Sequence, residues 1–198
     1  MLKLMGVWAG MYPVIAHVGI WASLPRLAVS YLVSLILIAL LFPPRYKQPG
    51  NILIASALVV SVMTLIKLNL DYLLIYLPPI VIPAGLLIIF LQSLQKEQIP
   101  VVTQFAMFID GKSGKVERDY TRRITQLWVG VFTFMIVEAI GLSIFASIEI
   151  WSWATHIGNY FLMALILILE FIYRKYRFKS NDTTFKKFIL ALVQYRWK

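Results

Sequence analysis

Six long apolar stretches alternate with shorter polar ones along the chain. They cover about residues 4–23, 27–42, 51–66, 70–92, 126–147 and 153–173. An α-helix needs about 20 mostly apolar residues to cross the hydrocarbon core of a bilayer. The pattern therefore predicts an all-α integral membrane helical bundle with six transmembrane helices and one long cytoplasmic loop over 93–125.

Proline interrupts the fourth stretch at three places, Pro78, Pro79 and Pro83. Each proline removes a backbone donor from the helix. A broken helix is tolerated in a membrane where neighbours or a cavity satisfy the freed carbonyls, and transporters build sites at such breaks. The sequence leaves open whether this span is kinked or broken.

The segments outside the predicted spans have their own periodicity. Apolar residues recur at roughly helical spacing over 100–110, which predicts a short amphipathic helix on the inner membrane surface. The tail 179–198 is basic and aromatic, with Asp182 as a predicted N-cap, and fits an interfacial helix better than a seventh span. The predicted domains are a transmembrane domain over 1–178 and an amphipathic tail over 179–198.

Composition sharpens the membrane prediction. Hydrophobic residues make up 60% of the 198 residues and charged residues 14%, and the mean hydropathy is +0.79. Typical soluble domains have about 45–50% apolar and about 25% charged residues. A soluble fold would have too little polar surface, so soluble and disordered classes are excluded. The chain has no cysteine, which excludes disulfides, iron–sulfur clusters and thiolate zinc sites.

Basic residues predict the orientation. The net charge is +10, and 17 of the 19 Lys and Arg residues fall on one side of a six-span topology, with Arg26 and Lys67 on the other. Cytoplasmic loops carry the excess of Lys and Arg, so both termini are expected in the cytoplasm. The same excess favours contact with anionic lipid, and in a membrane protein it gives no reason to expect nucleic acid.

Few charged residues lie inside the predicted spans. Glu138 is near the middle of span five, where an ionised carboxylate is costly, so it must be protonated or paired. Its candidate partners are His17 and a water-filled cavity, and its role is either a proton or substrate site or helix packing. Glu170 and Arg174 are four residues apart near the inner end of span six and can pair while reaching the interface. Two histidines without ligand spacing predict no metal site, and no cofactor is expected.

Four segments together resemble a family of small bacterial inner-membrane proteins. They are Tyr76-Leu77-Pro78-Pro79, Pro100 to Ala106, Tyr120 to Trp128 with its Tyr-Thr-Arg-Arg motif, and Glu170 to Arg174. Genes of that family lie in clusters for aryl polyene and related fatty-acid-like synthesis. The resemblance covers roughly 70–178 and implies a bacterial inner-membrane location but no established activity. Pro83 and Gln104 depart from the pattern, which weakens any role assigned to those two positions.

The resemblance also suggests partners for the cytoplasmic face. An acyl carrier protein, a biosynthetic enzyme or a lipid phosphate could dock on basic side chains there; the alternative is that these charges only set the topology. The candidate contact residues are Arg118, Arg122, Arg123, Lys186 and Lys187.

Three functions follow as hypotheses. The first is a non-enzymatic accessory protein that docks or hands over acyl-carrier-bound polyene or lipid intermediates. The second is a transporter or flippase for a hydrophobic product, with its site at Glu138, His17 and the Pro78–Pro83 break. The third is a membrane-bound acyl or glycosyl transferase. No catalytic constellation is recognisable in the sequence, so an enzyme is the less favoured class.

Overall fold

The computed structural model describes residues 2–41, 49–110 and 115–178, and the structural statements below concern these residues. They form helices and no strands. In chain order these are α1 (Leu2–Trp21), α2 (Pro25–Leu41), α3 (Pro49–Lys67), a 3₁₀ segment (Asp71–Tyr76), α4 (Pro78–Ser93), α5 (Val101–Asp110), α6 (Lys115–Phe145), α7 (Ile148–Trp153), a π-helical turn (Ala154–Gly158) and α8 (Asn159–Phe178).

Four segments are long and apolar enough to cross a bilayer. They are Gly50–Lys67, Leu73–Ser93, Arg118–Phe145 and Ile148–Arg177. These correspond to the third to sixth predicted spans, so the membrane prediction is confirmed at this level. The first two predicted spans are helical as α1 and α2, and the apolar helix Pro25–Leu41 is shorter than the other four.

The structure relocates two predicted helix boundaries. Pro78 and Pro79 do not interrupt a helix but begin α4, where the missing amide donors cost nothing, and only Pro83 lies inside it. The segment before them, Asp71–Tyr76, is 3₁₀. The fifth span begins earlier than the predicted residue 126, because α6 is already helical from Lys115. Eleven residues predicted to lie in the cytoplasmic loop, 115–125, thus belong to the same helix as the fifth span.

The short helix predicted over 100–110 is present as α5, Val101–Asp110. The predicted tail helix, including Asp182, Lys186 and Lys187, lies outside the described residues.

The chain divides into two compact units. Unit 1 comprises Met1–Ile80 and Glu138–Asn159, and unit 2 comprises Val81–Val137 and Tyr160–Lys198. The sequence predicted one transmembrane domain over 1–178. Each unit has its own cluster of buried apolar side chains.

Unit 1 is built on the hairpin of α1 and α2. Its tight turn places Ser23 at φ 58° and brings the Leu24 amide within 2.7 Å of the Gly19 carbonyl. A Cβ at Gly19 would lie 3.2 Å from the Leu24 carbonyl oxygen, so this glycine permits the close turn. The buried core of the unit consists of Tyr12, Ala16, Ile20, Ala28, Val29, Ile75 and Trp151.

An ion pair joins the start of α2 to the start of the 3₁₀ segment in unit 1. The Arg26 guanidinium donates to the Asp71 carboxylate at 2.9 Å and to the Asn69 side-chain oxygen at 3.5 Å. The Asp71 side chain is 6% exposed and that of Arg26 is 65% exposed. A buried carboxylate thus has its charged partner at the surface, which avoids an unpaired buried charge.

Unit 2 packs α4, α5, α6 and α8 around an aromatic core. Its buried members are Phe90, Val101, Trp128, Phe132 and Met135, and partly buried residues of α8 such as Met163, Ile166 and Leu167 pack against them. The predicted site residues in the described part of this unit are Pro83, Arg118, Arg122, Arg123, Glu170 and Arg174.

The fold predicts that Lys67 and Lys96 lie on opposite sides of the membrane, because Leu73–Ser93 lies between them and is long enough to cross it once. Both side chains are exposed, and the native chain has no cysteine. Single variants Lys67→Cys and Lys96→Cys in intact vesicles should therefore react with an impermeant maleimide from different sides. Labelling of both from the same side would contradict a crossing by this segment.

Candidate functional site

A mostly apolar cavity lies within unit 2. Its volume is about 170 Å³, and its walls come from α4, α5, α6 and α8. Nine of the eleven lining side chains are apolar: Leu86, Phe90, Val101, Val102, Phe105, Ile124, Trp128, Phe132 and Leu167. A cavity of about 150 Å³ with such walls binds benzene, so this one has room for about six to eight carbon atoms.

Hydroxyl groups hold α5 in place as one wall of the cavity. The Val101 amide donates to Ser93 Oγ at 3.2 Å, and the Val102 amide donates to Thr125 Oγ1 at 3.3 Å. These bonds satisfy two of the amides that the first turn of any helix leaves without a partner. The buried hydroxyls of Thr103 and Thr121 also bond each other at 2.6 Å, joining α5 to α6.

Three aromatic rings form part of the cavity wall. The rings of Phe90 and Phe132 meet edge to face at 5.1 Å, and Trp128 lies 5.6 Å from Phe132. Such edge-to-face and tilted arrangements are favourable for aromatic pairs and leave their edges and faces available to an apolar ligand.

Glu170 and Arg174 complete the lining and are its polar members. Both were predicted as an ion pair reaching the interface, and the structure places both inside unit 2, each only 8% exposed. Glu170 Oε1 is buried and has no hydrogen-bond partner among the described residues. A buried acceptor without a partner is costly, so this oxygen marks the place where a ligand group would be stabilised.

The predicted docking residues at the start of α6 differ in their surroundings. Arg118, Arg122 and Arg123 are all exposed. The Arg122 guanidinium donates to the Leu94 carbonyl at 2.7 Å and so caps the chain just after α4. Arg122 therefore has a structural role as well as a charge. Lys186 and Lys187 lie outside the described residues.

Unit 1 contains a separate cluster of buried polar side chains. His17 Nδ1 is 3.0 Å from Ser152 Oγ, and the same oxygen is 3.3 Å from His156 Nδ1. Thr155 Oγ1 lies 3.4 Å from His156 Nδ1 and donates to the Trp151 carbonyl at 2.8 Å. One serine hydroxyl thus joins the two histidines of the chain.

The π-helical turn Ala154–Gly158 brings His156 into this cluster. π-Helical turns are rare in proteins overall, and those that occur are often found at functional sites. His156 is 4% exposed and Asn159 is 2% exposed. His156 Nε2 and Asn159 Nδ2 are both buried without a hydrogen-bond partner in the described part of the chain.

The intramembrane residues singled out by sequence are distributed over both units. His17 bonds Ser152 instead of the predicted partner Glu138. Glu138 belongs to unit 1, is half-buried, and its Oε2 has no hydrogen-bond partner within the described ranges. Pro78 and Pro79 belong to unit 1 and Pro83 to unit 2.

The polar cluster does not have the geometry of a nucleophilic site. A serine beside a histidine is the pair that acyl transfer uses. Ser152, however, is 0% exposed, and its hydroxyl is held between two imidazoles. A substrate carbonyl cannot reach it in this conformation. In the ranges that the structure describes, no group of three or more His, Cys, Asp or Glu could hold a metal ion.

Ser152, His156 and Asn159 are not among the candidate residues that the sequence indicates. His156 lies near the start of the sixth predicted span, and the structure buries it. The available signal was the i, i+4 spacing of Ser152 and His156, which places them on one helix face. That spacing alone is common, and the π-helical turn and the partner His17, 135 residues away from Ser152, have no sequence signature.

The hydrogen-bond geometry predicts opposite tautomers for the two histidines. Thr155 gives its proton to Trp151, so it can only accept from His156, which must carry its proton on Nδ1. That single Nδ1–H is shared between Thr155 and Ser152, so the Ser152 hydroxyl accepts from His156 and donates its own proton to His17 Nδ1. His17 therefore carries its proton on Nε2 when neutral.

Because the chain has only two histidines, ¹⁵N-histidine NMR of the protein in bilayers can read both tautomers directly. Ser152→Ala should release His17 into a mixture of tautomers, whereas Ser143→Ala, on the exposed part of α6, should change neither signal. Two histidines in the same tautomer in the unsubstituted protein would contradict the assigned chain.

No protein-family model, curated protein or solved structure matches the chain. The resemblance stated from its motifs therefore stays a prediction. The function is inferred from the cavity of unit 2 and the polar groups that line it.

Proposed function

We propose that the protein is a non-enzymatic membrane accessory protein that binds the apolar chain of a lipid-like molecule in unit 2. The observation that carries this proposal is the cavity of about 170 Å³, apolar along its walls, with Glu170 and Arg174 as its polar lining. Ligand pockets of this kind are mostly apolar and contain a few polar groups that orient the ligand.

Size and polarity favour an amphipathic ligand. The cavity accepts about six to eight carbon atoms, by comparison with cavities that bind benzene. A longer chain would leave its remainder in the surrounding lipid. A wholly apolar ligand would leave the buried polar groups of Glu170 and Arg174 facing hydrocarbon, which is costly.

The proposal places the protein in the bacterial inner membrane with six spans and both termini in the cytoplasm. Four apolar segments of sufficient length and the shorter apolar helix α2 support this topology. The bias of 17 of 19 basic residues to one side of that topology supports the orientation with both termini in the cytoplasm. In this orientation Glu170 and Arg174 are near the cytoplasmic end of the last span.

The cytoplasmic end could then receive its ligand from an acidic acyl carrier protein. Arg118 and Arg123 are exposed at the start of α6, the same helix whose Ile124 and Trp128 line the cavity. Complementary charge speeds and orients such an encounter. Anionic lipid is the other partner that these side chains fit.

A transporter is the second candidate function, favoured by the buried polar groups of unit 1. Unpartnered polar atoms of Glu138, His156 and Asn159 in apolar helices are typical of substrate or proton sites. In that case Glu138→Gln should abolish function, whereas the accessory proposal expects this variant to be tolerated.

Filling the cavity should abolish binding of an acyl chain. Leu167 lines the cavity and Leu169, two residues on along α8, is 55% exposed. We expect a photoreactive diazirine fatty acid to label peptides from α4, α5 or α6 in the unsubstituted protein. Leu167→Trp should lower this labelling at least about fivefold, because the indole occupies the ligand volume. Leu169→Trp is the matched control and should leave it unchanged, and equal labelling of both variants would contradict the proposal.

Charge reversal at Arg123 tests carrier docking. Arg123→Glu should lower the recovery of acyl carrier protein with the purified full-length protein by at least about threefold, because a favourable rim charge becomes repulsive. Lys175→Glu, an equal charge change at an exposed position of α8, should have a smaller effect. Arg122 is unsuitable as the probe because its replacement also removes the hydrogen bond to Leu94. Equal recovery with Arg123→Glu and the unsubstituted protein would overturn the docking role.

A further inference from the structure

The polar lining of the unit 2 cavity contains one acidic and one cationic side chain, one helical turn apart. Glu170 and Arg174 are both 8% exposed and both line the cavity. The Arg174 guanidinium is a hydrogen-bond donor only and has no acceptor atom. Glu170 is the nearest acid on its own helix, and its Oε1 is buried with no hydrogen-bond partner among the described residues.

The other titratable neighbours of this pair are tyrosines. Tyr120 of α6 stacks on Tyr173 of α8 with ring centroids 5.5 Å apart, and Tyr120 interacts electrostatically with Glu170 and Arg174. The cavity lining from α4 and α5 is apolar: Leu86, Phe90, Val101, Val102 and Phe105. Among the described lining residues, the charge presented to a ligand is therefore that of Glu170 and Arg174 together.

Three simple ligand head groups would interact differently with Glu170 and Arg174. An ammonium group would add a second cation beside Arg174, which is unfavourable. A hydroxyl group could donate to Glu170 but would leave Arg174 without an additional anionic partner. A carboxyl group can face the guanidinium, which binds carboxylates strongly, and it can also bond Glu170 if one proton is kept between the two acids.

The proton follows from the proximity of two carboxyl groups. Two carboxylates that share one site cannot both ionise at ordinary pH, so one proton stays bound between them. One carboxyl group then donates its O–H to the other, and the unpartnered Oε1 of Glu170 obtains its bond. No covalent bond changes, and the proton comes from water or is already on Glu170.

We infer that the ligand is an amphipathic carboxylic acid, bound with one proton shared between its carboxyl group and Glu170 and with its charge facing Arg174. This inference rests on the proposed function, since it names the head group of the chain that occupies the same cavity. It excludes amines and gives alcohols no advantage from Arg174.

Octanoic acid and 1-octanol are the probes, because their chains match the volume of the cavity and they differ in the head group. Binding is measured to the full chain in lipid nanodiscs, with empty nanodiscs to subtract partition into lipid. We expect the affinity for octanoic acid to fall at least about tenfold between about pH 6 and pH 9, because free carboxylic acids are already ionised in this range and binding must take up one proton. The affinity for 1-octanol should not change over this range.

Variants separate the two charged groups. Glu170→Gln should keep octanoate binding within about threefold and remove its pH dependence, because the amide donates without titrating. Arg174→Gln should lower octanoate affinity at least about tenfold while changing 1-octanol binding less than about threefold. Lys175→Gln removes the same charge at an exposed position of α8 and should change neither. Arg174→Lys keeps the charge and serves if Arg174→Gln does not fold.

The outcomes distinguish this inference from the proposed function. If neither ligand binds above empty nanodiscs, or if Leu167→Trp binds both as well as the unsubstituted protein, the cavity is not a ligand site and both proposals fail. If 1-octanol binds in the cavity and octanoate binds no more tightly, or if octanoate binding is the same at all pH values and in Arg174→Gln, only the carboxylic acid inference is overturned.

Discussion

In a chain this apolar, a buried polar group has few partners available other than another part of the same protein. The hydrogen bonds that attach α5 to the rest of unit 2 illustrate this constraint. The first two amides of that helix bond the hydroxyls of Ser93 and Thr125, and Thr103 bonds Thr121 at 2.6 Å. Each missing bond would leave a buried donor or acceptor at a cost of about 1–3 kcal/mol. Four hydroxyls thus hold the helix that closes one wall of the cavity.

The same constraint makes the unsatisfied groups informative. Arg122 occupies the carbonyl after α4, and Arg26 neutralises the buried Asp71, so chain ends and connections have partners where geometry allows. Against this background some buried atoms stand out because they have no hydrogen-bond partner among the residues that the structure describes: Glu138 Oε2, His156 Nε2, Asn159 Nδ2 and Glu170 Oε1. Only Glu170 of these four lines the cavity of unit 2. Its unsatisfied oxygen therefore carries the head-group inference.

Much of this framework could be predicted from sequence because hydropathy is a property of consecutive residues. The long apolar runs and the isolated Glu138 are visible without a structure. The predicted start of the fifth span was wrong because the first turns of α6 are polar and hydropathy does not detect them. In the structure these turns, from Lys115, continue into the apolar span without a break. From sequence alone, Pro78 and Pro79 are compatible with a broken helix, whereas in the structure they begin α4.

The polar contacts could not be predicted because they join residues far apart in the chain. Ser152 is 135 residues from His17, and Thr103 is 18 residues from Thr121, and neither pair has a spacing that signals contact. Glu170 and Arg174 were identified by their i, i+4 spacing, yet that spacing is equally compatible with an exposed pair. Only the packing of α8 against α4, α5 and α6 decides that they are buried.

Burial also decides which part of unit 2 can provide specificity. Apolar walls such as those formed by Phe90, Trp128 and Leu167 distinguish chains weakly, by about 1–3 kcal/mol per methylene group. A buried polar group discriminates far more strongly, because a ligand that lacks the matching group leaves the Glu170 oxygen without a hydrogen bond. In the proposed binding, the walls admit many chains of suitable length, and the choice among them depends on Glu170 and Arg174. The proposed hand-over of lipid intermediates needs this combination, since it requires chains that differ in detail to be accepted while one chemical end is recognised.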